Sequence, residues 1–413
     1  MAEAAIDYSL NNPDTLTKYK QAGQISQKVL ETVSGWCDEG ANIVELCEKG
    51  DALLAEEISK VYKGKKTVKG FAHPTTVSPS SYVTPYTPLK SEEEEASRTL
   101  KAGEVVKIQL GAQIDGFGTI VCDSVVVGAK GAEISGREAD LFLATHYANE
   151  LLLRLMLPPG ILTAGTDEEK KKASAQKAPT QTKINQMLDK VVKAYGCNIV
   201  DSTTSWLFDR NEIESKKKII LAPGDGLKGE GLPEIGEVWG VEIGVSLGSG
   251  KIKNLADRTT LHRKTDTRFD LKRPSSRATI NEIKEKFGTF PFSLRQLDDE
   301  RAAKIGVMEC VRGNVVRQYE VVADKDNEPV ARLFTTVSIT KNGMTRLSAP
   351  PTLDVTKFKT DKKIDDEEVL KILEQPISKV STSKSKKKKP KKKAAKKAVE
   401  EEEDDDEDDD DDE

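Results

Sequence analysis

Apolar residues recur at helical spacing through Leu16, Tyr19, Ile25, Val29, Leu30 and Val33, which predicts a helix over 14–36. Val44, Leu46, Leu53, Leu54, Ile58 and Val61 predict a second helix over 43–62. The period then changes. Residues 104–127 read as two paired strands, with Asp115-Gly116 as the turn between them. Helical spacing returns over 137–156 through Leu141, Leu143, Ala144, Ala148, Leu151, Leu152 and Leu155, and Pro158-Pro159-Gly160 ends it. The Lys/Ala/Thr-rich stretch 163–182 reads as a surface insertion, followed by a helix at 182–195 and strands near 197–202 and 217–222. A Val/Ile-rich strand spans 238–247, and further strands are predicted at 258–263, 316–323 and 330–340. Between them, Thr279 is read as the cap of a helix over 280–287 that Gly288 closes, with another helix over 295–311. Helices then strands, met twice in that order, predict an α+β fold with two similar halves, although no direct repeat is visible.

Composition changes this picture at the C-terminal end. Only 37% of the 413 residues are hydrophobic and 32% are charged, below the usual apolar share of about 45–50%. Residues 384–397 hold ten Lys and no acid, and all fourteen residues of 400–413 are acidic. Blocks of like charge repel themselves and bury nothing, so 376–413 is expected to be a disordered tail, Lys-rich and then acidic. Its Lys386, Lys387, Lys388, Lys389, Lys391, Lys392 and Lys393 form a polybasic arm suited to polyphosphate and similar to a nuclear import signal. A second unbalanced stretch lies in the body. Lys251, Lys253, Arg258, Arg263, Lys264, Arg268, Lys272, Arg273 and Arg277 stand against Asp257, Asp266 and Asp270, giving +6 over 27 residues. A formal net charge of −5 averages over all of this.

The chemistry available is narrow. Five Cys without a CxxC pair exclude a zinc ribbon and a disulfide scaffold, and fit a reducing compartment. Only His73, His146 and His262 can supply imidazoles, and each reads as a packing or surface residue. No apolar run approaches the length of a membrane span, and the N-terminus, with an early acid, does not read as a secretory signal. The glycine-rich segments 224–229 and 248–251 lack Walker spacing and are read as loops.

Several segments together resemble one family. They are Leu16-Thr17-Lys18-Tyr19-Lys20, Leu46 to Asp51, Tyr86 to Ser91, Val106 to Gly111 with Asp115-Gly116-Phe117, Glu237-Val238-Trp239, Gly248 to Lys251, and Phe287 to Arg295. In order and spacing they resemble the proliferation-associated, ErbB-binding protein family, which includes a fungal curved-DNA-binding protein. The resemblance implies the pita-bread fold of type 2 methionine aminopeptidases. Residues 1–13 would be an N-terminal extension and 14–375 the pita-bread domain, with the type 2 helical insertion at about 272–320.

Those peptidases hold two divalent metals that activate a shared water, in a cage of carboxylates and one imidazole. Carried onto this chain, the five ligand positions are Gln109, Ile120, Thr203, Glu242 and Phe334, and the substrate-contacting His falls on Pro85. One ligand survives, so the resemblance implies a pseudoenzyme without metal or other cofactor. Asp123 is the nearest acid to the Ile120 position. The expected function is binding of ribosomal RNA and large-subunit proteins by a monomer, through the basic stretch and the Lys arm, in ribosome biogenesis, translation and growth control. The expected locations are the cytoplasm and the nucleus or nucleolus. Aromatics are only 5% and none interleaves the Lys run, which favours recognition of backbone and shape over base stacking. Binding of curved duplex DNA in the nucleus is the alternative, and a residual metal-dependent aminopeptidase the third.

Overall fold

In a computed structural model, which describes residues 7–379, the chain opens with the two expected helices, α1 (Pro13–Gly35) and α2 (Ile43–Lys60). Each starts where an asparagine side chain accepts a free amide, Asn12 from Asp14 and Asn42 from Glu45. β1 (Lys69–Pro79), the one-turn α3 (Glu93–Ala96), β2 (Val105–Ile114) and β3 (Phe117–Val126) follow. Asp115 and Gly116 take φ of 57° and 81°, the left-handed pair that a two-residue hairpin turn requires. The second half holds β4 (Ile134–Ser135), α4 (Arg137–Leu155), α5 (Asp167–Ser174), α6 (Gln181–Ala194), β5 (Asn198–Ile199), β6 (Thr203–Phe208), β7 (Lys218–Leu221) and β8 (Val238–Ser246). Inside the surface stretch 163–182, α5 buries nothing and is held by a Thr166–Glu169 capping box.

Next come β9 (Ile252–Asn254), β10 (Leu261–Lys264), α7 (Pro274–Lys286), β11 (Pro291–Ser293), α8 (Glu300–Arg312), β12 (Val316–Gln318) and β13 (Val322–Asp324). Three expectations need correction here. α7 begins at Pro274, not after Thr279, because proline at the first helical position presets φ; Thr279 is a buried residue inside the helix. The helix expected from Arg295 begins at Glu300, where Asp299 accepts the amides of Arg301 and Ala302; Leu294–Gln296 is a separate 3₁₀ turn. The strand expected over 316–323 is two strands with different partners, β12 on β10 and β13 on β9. α7, α8 and the sheet β11-β10-β12 close over their own core, including Ile280, Ile283, Phe287, Phe292, Val307 and Cys310. β10 therefore joins the two helices of 272–320 although it precedes them in the chain.

β14 (Val330–Thr340), β15 (Gly343–Ser348), β16 (Phe358–Lys359) and α9 (Glu367–Leu373) complete the described elements. The start of the expected tail is tied to the body: the Met344 amide donates to the Ile377 carbonyl at 2.7 Å, and the Lys379 amide to the Asn342 carbonyl at 2.8 Å. The main sheet runs β1-β2-β3-β14-β8-β6-β7, with β15 on β14 and β5 on β8. α1 packs on β2 and β3 and α2 on β1, while α4 packs on β8 and β14 with α6 beside it. Each half is thus a helix pair over antiparallel strands with its own apolar core. The halves meet where β14 lies against β3. That seam has one registered pair, Phe334 with Cys122, and is stitched by side chains. Thr336 Oγ1 bonds the amide and carbonyl of Ile120, and Ser124 Oγ bonds those of Arg332. All five Cys are buried and free.

Candidate functional site: the former ligand positions and the basic surface

Side chains alternate across a sheet, so residues paired directly across neighbouring strands share a face. Gln109 pairs with Cys122, Cys122 with Phe334, and Phe334 with Glu242. These four form one row across β2, β3, β14 and β8. Ile120, opposite Gly111, stands in the next row on the same face. Thr203 on β6 is beside Gly244, two residues beyond Glu242; its Oγ1 lies 3.1 Å from where a Gly244 Cβ would stand. Five positions spread over 226 residues of sequence, 109 to 334, therefore converge on one face. Pro85 lies in the loop after β1, half-buried before the buried Tyr86.

A guanidinium occupies the middle of this group. Arg332 is two residues before Phe334, hence on the same face, and its side chain is 4% exposed. Its Nε donates to Glu242 Oε1 at 2.9 Å, and its Nη2 reaches the same oxygen and, at 3.1 Å, Gln109 Oε1. Gln109 Nε2 lies 3.1 Å from His73 Nε2, and His73 Nδ1 lies 2.8 Å from the Pro74 carbonyl. Burial pushes the His73 imidazole down to about 4, so at neutral pH it is uncharged. The network has one consistent polarity: His73 Nδ1 donates to Pro74, Gln109 donates to His73, and Arg332 donates to Gln109 and Glu242. Lys107, also fully buried, donates to the Ser80 carbonyl. Its ammonium is pushed down to about 7, first by burial and then by Arg332.

Apart from Lys107, Ser124 and Thr336, much of the remaining packing here is apolar. Ile120, Cys122 and Phe334 pack with Phe117, Phe208, Val238 and Phe290. These residues do not fit a dinuclear metal centre. A cation already neutralises Glu242, Gln109 is committed at both ends of its amide, and Ile120 and Phe334 offer no donor atom. Among the described residues no group of three or more His, Cys, Asp or Glu is placed to hold a metal ion. Asp123 does not rescue the cage. It pairs with Ile108, one residue out of phase with Gln109 and Cys122, and so belongs to the opposite face of the sheet.

Two residues of this network escape the sequence reading. His73 reads there as packing or surface, and Arg332 belongs to no motif. A signal for Arg332 is present all the same, since a basic residue two places from Phe334 in a strand must share its face.

The basic stretch 251–277 is not one surface. Lys251 precedes β9 and Lys253 is its middle residue, donating to Asn327 at 2.7 Å. Arg258 is half-exposed and paired with Glu92 at 2.6 Å. Arg263 has to be withdrawn from the binding residues: it is buried, bonded to Glu212, to Glu214 at 3.3 Å and to the Thr289 carbonyl at 2.9 Å. Both faces of β10 are covered, and Glu212 and Glu214, brought in from the loop after β6, compensate the buried guanidinium. Lys264 donates to its neighbour's carbonyl, Thr265 O, at 2.9 Å. Arg268, Lys272, Arg273 and Arg277 are exposed in the loop entering α7 and on its first turn. Among the described residues none of the four has a carboxylate ion-pair partner. The Glu309 carboxylate holds that loop by the amides of Lys272 and Arg273, at 2.9 and 3.1 Å, leaving the side chains outward. Ser249 in the second glycine-rich loop gives its amide to Asp326 at 2.8 Å, which opposes a phosphate cradle there. Lys386 to Lys393 of the arm, and the acidic run after them, lie outside the described residues.

Comparison with known proteins places the fold and the family. Residues 17–196 match the model of metallopeptidase family M24. The curved DNA-binding protein of Schizosaccharomyces pombe is 40% identical, over 93% of this chain and 96% of its own. ErbB-3 binding protein 1 of Arabidopsis thaliana is 32% identical, over 88% and 86%. The solved structure of a thermophilic Arx1 is 65% identical and superposes with a TM-score of 0.88, covering 89% of this chain and 100% of its own. Methionine aminopeptidase of Thermotoga maritima, 16% identical with a TM-score of 0.51 over 82% and 98%, shares the fold alone. A pita-bread sheet on which Glu242 is paired with an arginine two residues from Phe334 is thus set among relatives of matching length, and the chain belongs to the family of the curved DNA-binding protein and ErbB-3 binding protein 1.

Proposed function

We propose that this protein is a non-catalytic binder of structured RNA on the large ribosomal subunit, acting in ribosome biogenesis, translation and growth control in the cytoplasm and the nucleus or nucleolus. The observation that carries the reading is the group Arg268, Lys272, Arg273 and Arg277, exposed and clamped at the start of α7. Basic side chains without carboxylate partners can meet phosphates, Arg277 through the guanidinium nitrogens other than Nη1, which donates to the Leu271 and Lys272 carbonyls; each such pairing releases counterions and adds to the salt dependence. The Arg332–Glu242 pair supports the absence of peptidase chemistry, because the one carboxylate left among the implied ligand positions is already neutralised by a guanidinium.

Replacing all four of these residues by alanine is expected to reduce the slope of log affinity against log salt for a ribosomal RNA helix. The reduction should be about 0.7–0.9 for each phosphate that is no longer neutralised. Fluorescence anisotropy over a salt series measures this, and an unchanged slope would remove these residues from the interface. Arg263→Ala is the contrasting variant, expected to lower stability because Glu212 and Glu214 lose their buried partner. Co-sedimentation with large subunits on sucrose gradients at low salt is expected of the intact protein, and its absence would sink the ribosomal reading. Turnover of a Met-initiated peptide with Co²⁺ or Mn²⁺ would overturn the non-catalytic one.

Curved duplex DNA is the second reading, favoured by the name of the S. pombe relative. Gel shifts in equal salt decide between the two, and tighter binding to curved duplex than to ribosomal RNA helices would place DNA first.

A further inference from the structure

α8 closes the core of the insertion with one face and leaves the opposite face uncovered. Ala303, Val307 and Cys310 are buried, whereas Arg301, Ile305, Met308 and Arg312 are exposed. Steps of four, three and four residues keep these four side chains in one stripe, the two arginines about 16.5 Å apart by the rise of an α-helix. Ile305 is 54% exposed and Met308 46%. Beside Met308 the stripe runs into a cavity of about 580 Å³ whose lining includes Leu294, Val307 and Val311. Single exposed apolar residues are ordinary; apolar surface that is continuous and rimmed by charge marks a contact site.

The charges around this surface say what it would meet. Among the described residues Arg301 and Arg312 have no carboxylate partner. The acids nearby are engaged within the protein. Glu309 accepts the amides of Lys272 and Arg273, and Asp299 those of Arg301 and Ala302. At the cavity, Glu92 is held by Arg258 and Lys304, and Glu95 accepts the Tyr86 hydroxyl and the Arg258 amide, each at 2.8 Å. The stripe is therefore apolar in its middle and positive at both ends. A second copy packed antiparallel about that middle would set Ile305 on Met308 and Arg301 on Arg312, like charge against like. Residues 400–413 are acidic throughout and bring no apolar side chain. A nucleic acid brings phosphates to the arginines and nothing aliphatic between them. The complement in both respects is a helix with two apolar side chains between two carboxylates.

We propose that this face of α8 docks an acidic amphipathic helix of another protein, its carboxylates on Arg301 and Arg312 and its apolar anchors on Ile305, Met308 and the cavity beside them. None of these residues belongs to the group Arg268, Lys272, Arg273 and Arg277, so this surface and the RNA-binding reading stand or fall separately.

Fluorescence anisotropy with the full chain tests it, the probe being a labelled alanine-rich helical peptide with Glu at i and i+11 and Leu at i+4 and i+7. The peptide binds saturably, and its counterpart with Lys for both Glu binds at least about tenfold more weakly. Ile305→Ser with Met308→Ser also costs at least about tenfold; both side chains point outward, so no core is emptied. Arg301→Glu with Arg312→Glu inverts the preference, the Lys peptide now binding more tightly, which a misfolded variant would not do. Neither paired variant changes the salt slope for the ribosomal RNA helix. No saturable binding, equal binding of the two peptides, or binding unchanged in both paired variants overturns the proposal. It is overturned equally by a changed RNA slope, which gives the face to RNA, and by a dimer in analytical ultracentrifugation that Ile305→Ser with Met308→Ser dissolves, which gives it to a second copy.

Discussion

Arg332→Met is expected to lower the unfolding free energy by about 3–5 kcal/mol, the usual consequence of stranding one member of a buried ion pair. Glu242 would keep its carboxylate with a side chain only 19% exposed and no counter-ion, and Gln109 Oε1 would lose its donor. The double variant Arg332→Met with Glu242→Leu is expected to recover most of the loss. Two charges then leave the interior together, and apolar replacements of a buried pair are often neutral or stabilising. Among the described residues Arg332 Nη1 has no partner, which further lowers what the wild-type pair contributes. Urea denaturation of the two variants measures this. A loss below about 1 kcal/mol in Arg332→Met, the range of exposed pairs, would show that the guanidinium does not hold these positions together.

The second large effect is at the junction between the insertion and the body. Arg295 in the 3₁₀ turn before α8 pairs with Asp51 of α2 at 2.8 Å, with side chains 3% and 11% exposed. The same Arg295 donates to Thr87 Oγ1 and to the Thr75 carbonyl, each at 2.9 Å. Asp51 in turn accepts the Thr75 amide at 2.6 Å and Gln296 Nε2 at 2.8 Å. Gly50 belongs to the same junction, since a Cβ there would come within 2.5 Å of Thr75 Cγ2. Asp51→Ala is therefore expected to destabilise by about 3–5 kcal/mol. It should also release amide protection across 291–312 before the rest of the chain, read by hydrogen exchange. Loss of Lys28 from its pair with Glu57 is the contrast. Lys28 is 61% exposed there, and removal is expected to cost under about 1 kcal/mol. Uniform loss of protection in Asp51→Ala would show that the pair supports the whole fold and not this junction.

That junction explains part of what is readable in the chain beforehand. Gly50-Asp51 and Phe287 to Arg295 are two of the segments on which the family resemblance rests, and they meet in one ion pair. The helices α1, α2 and α4 and the hairpin β2–β3 are legible because periodicity and turn chemistry act within a few residues. The first turns of α7 and α8 are misplaced because a plausible cap, Thr279, competes with Pro274, and because Asp299 lies inside an apolar pattern that runs on from Arg295. Gln109, Ile120, Thr203 and Phe334, the replaced ligand positions that the resemblance implies, share one face of the sheet with Glu242.

By itself the sequence determined which side chains stand on which face, since a strand's period of two and a helix's of 3.6 are properties of the backbone. The family resemblance of its segments also implied that one carboxylate, Glu242, remained where a metal cage needs several. The tertiary structure alone decided where the charges go. Glu242 found Arg332 across 90 residues of chain, Arg263 turned inward to Glu212 and Glu214, and Asp123 was left on the far face with no ion-pair partner among the described residues. Whether a charge is paired, buried or free depends on desolvation and on partners brought together by folding, and neither is encoded in local spacing.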